Sequence, residues 1–132
     1  MRREVERRAG QRCENCLLHQ DDAASRHQLD HVISEKHRGE TTLENLALSC
    51  LPCNRRKSSD IGAIDPVTGE LVRLFNPRQQ VWAEHFRCDG PRIVGLTPEG
   101  RATVAFLQLN SPERTLERIE LMRIARFPVA DG

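Results

Sequence analysis

Two stretches, Cys13-Glu14-Asn15-Cys16 and Cys50-Leu51-Pro52-Cys53-Asn54-Arg55-Arg56-Lys57-Ser58, decide the reading of this chain. A Cys-x-x-Cys pair sets two sulfurs on one tight turn. Two such turns supply four thiolates for a tetrahedral zinc at about 2.3 Å per bond. One pair alone leaves a redox motif as a minority reading, whereas two pairs favour a structural metal. The separation between them exceeds that of a simple zinc ribbon, so further structure is expected between the knuckles. Cys88, left over, reads as a small buried hydrophobe.

Between the pairs, Arg26 to Ile33 predicts a strand, followed by a polar loop around Ser34 to Thr42 with a turn at Gly39. Leu43, Leu46 and Leu48 predict a second short strand, and Pro52 suits the first turn of a helix over 52–60. Ahead of the first pair, residues 2 to about 11 predict a short charged helix ending near Gly10. The local order is strand, loop, strand, helix, with a cysteine pair at each end. Such a module is held by metal more than by a large core.

The remainder has another texture. Asp65 to Glu70 is a turn whose flanks, 62–64 and 71–75, can pair as a hairpin. Val81 to Arg87 and Arg92 to Leu96 predict strands. Thr97-Pro98-Glu99 and Ser111-Pro112-Glu113 each open a helix, to about Leu109 and Arg126. In the last helix Leu116, Ile119, Leu121, Met122 and Ile124 form a loose apolar stripe. The expected class is α+β: a core over 1–60 with the cysteine site, and an extension of strands and two helices over 61–132 packed on it.

Composition narrows the possible functions. With 132 residues, 38% hydrophobic and 30% charged, the chain suits one modest core rather than a multidomain enzyme or a disordered segment. No apolar run is long enough to cross a membrane. The basic opening is followed by no apolar segment, so a cytoplasmic protein with reduced cysteines is expected. A formal charge of +1 excludes an indiscriminate polycation, yet leaves room for a local basic patch toward nucleic acid.

The chemistry-bearing string is Asp30-His31, then Asn45, then Asn54 with Lys57. Asp30 is a hard oxygen ligand suited to Mg²⁺ or Mn²⁺, and Asn54 offers a second, neutral oxygen. His31 beside it is an imidazole able to act as a general base. One carboxylate and one amide leave most octahedral positions to water and substrate, as metal-assisted phosphodiester cleavage requires. Arg55, Arg56 and Lys57 follow on a helix, with Lys57 sharing the Asn54 face and suited to a phosphate. Arg78 is a further candidate for phosphate contact; His85 is a candidate for the substrate groove, with a structural histidine the favoured reading. Alone, each piece reads blandly: a surface Asp-His pair, a capping Asn, a solvated helix face. Adjacent strand residues also point to opposite faces, so the strand must end, bulge or twist at Asp30-His31.

In its order and spacing this string resembles the HNH endonucleases. The resemblance runs through residues 13 to 58 and follows the zinc-bearing branch, a ββα-metal fold buttressed by two Cys-x-x-Cys pairs. It implies that His31 activates water, that Asp30 and Asn54 hold one catalytic metal, and that Asn45 orients the loop presenting His31. Cys13, Cys16, Cys50 and Cys53 would hold a structural zinc away from the scissile phosphate. The third family letter, often His, is Asn54 here, which implies a harder site; the usual Pro after the strand is Ser34. The implied activity is hydrolysis of DNA to 5′-phosphate and 3′-hydroxyl ends, with RNA served by the same site. The competing reading is a zinc-stabilised nucleic-acid-binding module without catalysis.

Overall fold

A computed structural model describes residues 1–128 of the chain; the last residues of the expected extension, 129–132, lie outside the described ones. In chain order the elements are α1 (Arg2–Arg8), β1 (Gln28–His31), β2 (Leu46–Ser49), α2 (Leu51–Lys57), β3 (Gly62–Ile64), β4 (Leu71–Arg73), α3 (Trp82–His85), β5 (Phe86–Asp89), β6 (Arg92–Gly95), α4 (Pro98–Phe106) and α5 (Pro112–Arg123). The fold is α+β: a ββα module built of β1, β2 and α2, with a C-terminal extension. The strands form three separate antiparallel pairs, β1–β2, β3–β4 and β5–β6.

In the first pair Asp30 stands opposite Ala47 and His31 opposite Leu46. Every residue of β2 is buried, and α1 covers one face of it: Val5, Leu46 and Leu48 form one apolar cluster with Ala9, Leu29 and Leu43 around them. Arg8 fastens α1 by donating to the carbonyls of Leu43 at 2.8 Å and Leu46 at 2.5 Å. Pro52 occupies the first turn of α2, where its missing N–H leaves no intrahelical bond unmade.

The largest core is built around the four paired cysteines. Cys13, Cys16, Cys50 and Cys53 are buried together with Leu18, Phe75, Phe86, Ile93, Leu107 and Leu109, so the extension supplies most of the apolar wall. Phe75 meets Phe86 edge to face at 5.1 Å, and Trp82 stacks on Phe86 at 5.0 Å. The Trp82 Nε1–H donates to the Asn15 carbonyl at 2.9 Å, tying the extension to the first knuckle.

Three expectations change. Val81 to Arg87, expected as one strand, divides into the helical turn α3 and then β5. His85 is thereby turned toward Thr97 Oγ1, 2.6 Å away, and packs against Phe75, contacts that suit the favoured structural reading. The stripe on α5 does not enter a core: Leu116, Ile119, Met122 and Ile124 are exposed, and Leu121 alone packs on the main cluster. Polar bonds seat this helix. Arg118 donates to the carbonyls of Pro91 and Leu109, and Arg126, just past the helix, pairs with Asp22. Cys88 is half-buried, and burial pushes its thiol up.

Asp65 anchors the β3–β4 hairpin. Fully buried, it accepts from the Val67 N–H, the Thr68 hydroxyl and two nitrogens of Arg101, which hold its carboxyl well below the usual range. Nearby, α4 begins with Thr97 capping the Gly100 N–H. A Cβ on Gly100 would stand 2.1 Å from the His85 carbonyl oxygen, so α3 and α4 meet only because that position has no side chain. Gly100→Ala is expected to lower the urea midpoint with an unchanged slope, a loss of about 1–3 kcal/mol as overpacking against backbone typically costs.

Candidate metal centre and active site

The first knuckle is a turn closed by Leu17 N–H to the Cys13 carbonyl and Cys13 N–H to the Leu18 carbonyl, each at 2.9 Å. The second sits at a helix start: Cys50 is the N-cap of α2 and Cys53 lies in its first turn. The knuckle is registered on β2 by Glu14, whose N–H donates to the Leu48 carbonyl at 2.8 Å and whose carboxylate accepts the Leu48 N–H at 2.9 Å. All four sulfurs lie within 4.8 Å of one another. Sulfurs around an ion at about 2.3 Å stand about 3.8 Å apart in a tetrahedron, and Cys16 Sγ lies 3.7 Å from Cys50 Sγ. A disulfide needs about 2.05 Å, and the cysteines are free. The donor set and its spacing therefore fit zinc.

Without an ion the cluster cannot ionise evenly. Cys16 is held well below the usual thiol range by bonds from the other three sulfurs, while Cys50 and Cys53 are pushed up, first by their hydrogen bonds with Cys13 and Cys16 and then by burial and neighbouring charge. A divalent cation removes that conflict by displacing the protons.

At the other end of the module β1 stops at His31, and the chain turns into the loop that Asn45 holds. The Asn45 Oδ1 accepts the Ile33 N–H at 2.9 Å. Its Nδ2 donates to the carbonyls of Ile33 at 2.9 Å and Glu40 at 2.8 Å, bracketing the loop at both ends. Gly39 packs beneath: a Cβ there would stand 1.6 Å from the Ile33 oxygen. The half-buried His31 ring places Nε2 2.8 Å from Thr41 Oγ1, on the far arm of the same loop. Thr41 escaped the sequence reading because a lone threonine in a polar loop carries no signature.

Residues 13–60 match the family model described as HNH endonuclease.

This HNH segment takes in both cysteine pairs, Asp30, His31, Asn45 and Asn54, and leaves α1 and the whole extension outside. No curated protein and no solved structure matches the chain.

Two expected phosphate contacts are committed elsewhere, one inside the HNH segment and one beyond it. Lys57 is buried, its Nζ 3.3 Å and 3.2 Å from the two Asp30 oxygens and 3.0 Å from the His31 carbonyl oxygen. Burial pushes the Asp30 carboxyl up, and the Lys57 ammonium and the His31 ring pull it back. Beyond the segment, Arg78 pairs with Glu14, with side-chain exposures of 11% and 13%. The physical reason is common to both: each buried carboxylate recruits a cation because an unpaired buried charge is costly. Arg55 and Arg56 remain exposed on α2, and Asn54 is half-buried one turn before Lys57.

Lys57→Met should therefore destabilise the protein by about 3–5 kcal/mol, and adding Asp30→Asn should recover part of that loss. Urea midpoints of the two single variants and the double variant measure this. A loss under about 1 kcal/mol accompanied by weaker DNA binding would return Lys57 to the phosphate role.

Proposed function

We propose that the chain is a metal-dependent HNH endonuclease that hydrolyses DNA phosphodiester bonds, with a structural zinc on Cys13, Cys16, Cys50 and Cys53. The observation that carries this reading is the His31 ring held against Thr41 on a loop bracketed by Asn45. What separates His31 from the Thr97-bonded His85 is its place: it follows Asp30 at the end of β1, inside the segment that matches the HNH endonuclease model.

In the proposed mechanism His31 donates its Nε2 proton to Thr41 Oγ1, which leaves Nδ1 as the proton acceptor. A water gives its proton to Nδ1 and attacks the phosphorus in line; the P–O3′ bond breaks and the departing oxygen takes a proton from solvent. Asn45 positions His31 by fixing the loop backbone. Asp30 and Asn54 supply a carboxylate and an amide oxygen, a donor set that fits Mg²⁺ or Mn²⁺. When bound, such an ion neutralises charge on the phosphate and on the leaving oxygen. Lys57 offsets part of the burial that pushes the Asp30 carboxyl up. Arg55 and Arg56 contact neighbouring phosphates, and the products carry 5′-phosphate and 3′-hydroxyl ends.

Plasmid nicking by the purified protein is expected to need Mg²⁺ or Mn²⁺, to stop with EDTA and to return when the ion is restored. His31→Ala should lower the rate at least about 100-fold, the usual contribution of a positioned base, and Thr41→Val should lower it less. A His31→Ala protein as active as the wild type sinks the mechanism, and metal-independent DNA binding without nicking favours the non-catalytic module. Cys13→Ser should unfold the module, since structural zinc contributes on the order of 10 kcal/mol to folding in small zinc domains; circular dichroism and zinc content measure the outcome.

A further inference from the structure

The C-terminal helix α5 reaches the sulfur cluster through one side chain. Arg114, in its first turn, places Nη2 3.0 Å from Cys53 Sγ and 3.6 Å from Cys50 Sγ. Its Nη1 donates to the Leu107 carbonyl at 3.0 Å, at the end of α4, so the guanidinium is oriented from both sides. We propose that Arg114 is a built-in partner of the metal centre: it donates N–H to the thiolates of Cys50 and Cys53 and offsets part of the charge of the zinc tetrathiolate. The inference rests on the zinc reading and not on nuclease activity.

The electrostatics favour this role. Four thiolates and one Zn²⁺ carry a net charge of −2, and here they are buried in apolar surroundings, where unscreened charge is costly. Arg114 is half-buried, and the neighbouring sulfurs push its guanidinium still further from losing its proton. Arg suits the place better than Lys, because its planar fork can bind sulfur on one edge while holding a carbonyl on the other. Partners of metal ligands commonly change metal affinity by 10–100-fold when removed. This one lies outside the segment that the family model matches, so it ties the extension to the module through the metal.

The test uses the full chain, loaded with Zn²⁺ or Co²⁺. Zinc release into a chromogenic chelator is timed for the wild type and for Arg114→Leu, Arg114→Lys and Arg118→Leu. Arg114→Leu should release zinc about tenfold faster or more, and its sulfur-to-cobalt charge-transfer band should move to lower energy, because the thiolates become more electron-rich. Arg114→Lys should stay closer to the wild type on both measures. Arg118→Leu loosens the seating of α5 without touching sulfur, so its cobalt band should not move.

A release rate for Arg114→Leu within twofold of the wild type overturns the proposal. So does an unmoved band, or an Arg118→Leu protein that matches Arg114→Leu on both readouts. If Arg114→Leu does not fold, Arg114→Gln replaces it under the same criteria. Failure of both neutral variants while Arg114→Lys folds supports the charge role, and failure of all three opposes it. A wild-type chain that takes up no zinc refutes the zinc reading itself, an outcome distinct from indistinguishable variants of a zinc-loaded protein.

Discussion

Four thiols gathered within 4.8 Å and sealed from water set the central constraint of this molecule. Such a cluster is not self-consistent as a set of ionised groups, and as a set of neutral thiols it offers only weak S–H bonds. A tetrahedral ion satisfies all four sulfurs at once. It also joins a turn far forward in the chain to the start of α2, a junction that apolar packing alone would hold loosely in so small a module. The placement of α2, which carries Asn54 and Lys57, against the strand that carries Asp30 and His31 hangs on that junction.

A second rule runs through the structure. Carboxylates that packing has buried each capture a basic side chain: Asp30 takes Lys57, Glu14 takes Arg78 and Asp65 takes Arg101. These pairs join segments distant in sequence, and their directional bonds fix how the segments meet. Basic residues that look free for a polyanion in the sequence are thereby withdrawn from it. What remains exposed on α2, Arg55 and Arg56, is a smaller and more local basic patch than the run of three suggests.

Legibility in the sequence followed the range of the interaction. The Cys-x-x-Cys pairs, Pro52 at a helix start and Thr97-Pro98-Glu99 at another carry their signal within a few residues, and the ββα order could be read from them. The division of Val81 to Arg87 was hidden, because its apolar residues serve an aromatic cluster with Phe75 and not a period-two strand face. The apolar stripe on α5 misled for the opposite reason: its spacing suits burial, but among the described residues no neighbouring element covers it. The identities of Asp30, His31, Asn45 and Asn54 stood out by order and spacing. That Lys57 lies under Asp30, and that Thr41 stands against His31, depended on where a loop and a helix turn in space, and no local pattern encodes that.

The fastening of α5 has a mechanical corollary. Greasy contacts permit sliding, since one methyl serves nearly as well as the next, whereas forked donors meeting individual carbonyl and sulfur atoms act like pins in drilled holes. Arg114 and Arg118 stand one turn apart on the same side of the helix. Displacing the rod by a single residue would therefore pull both pins together.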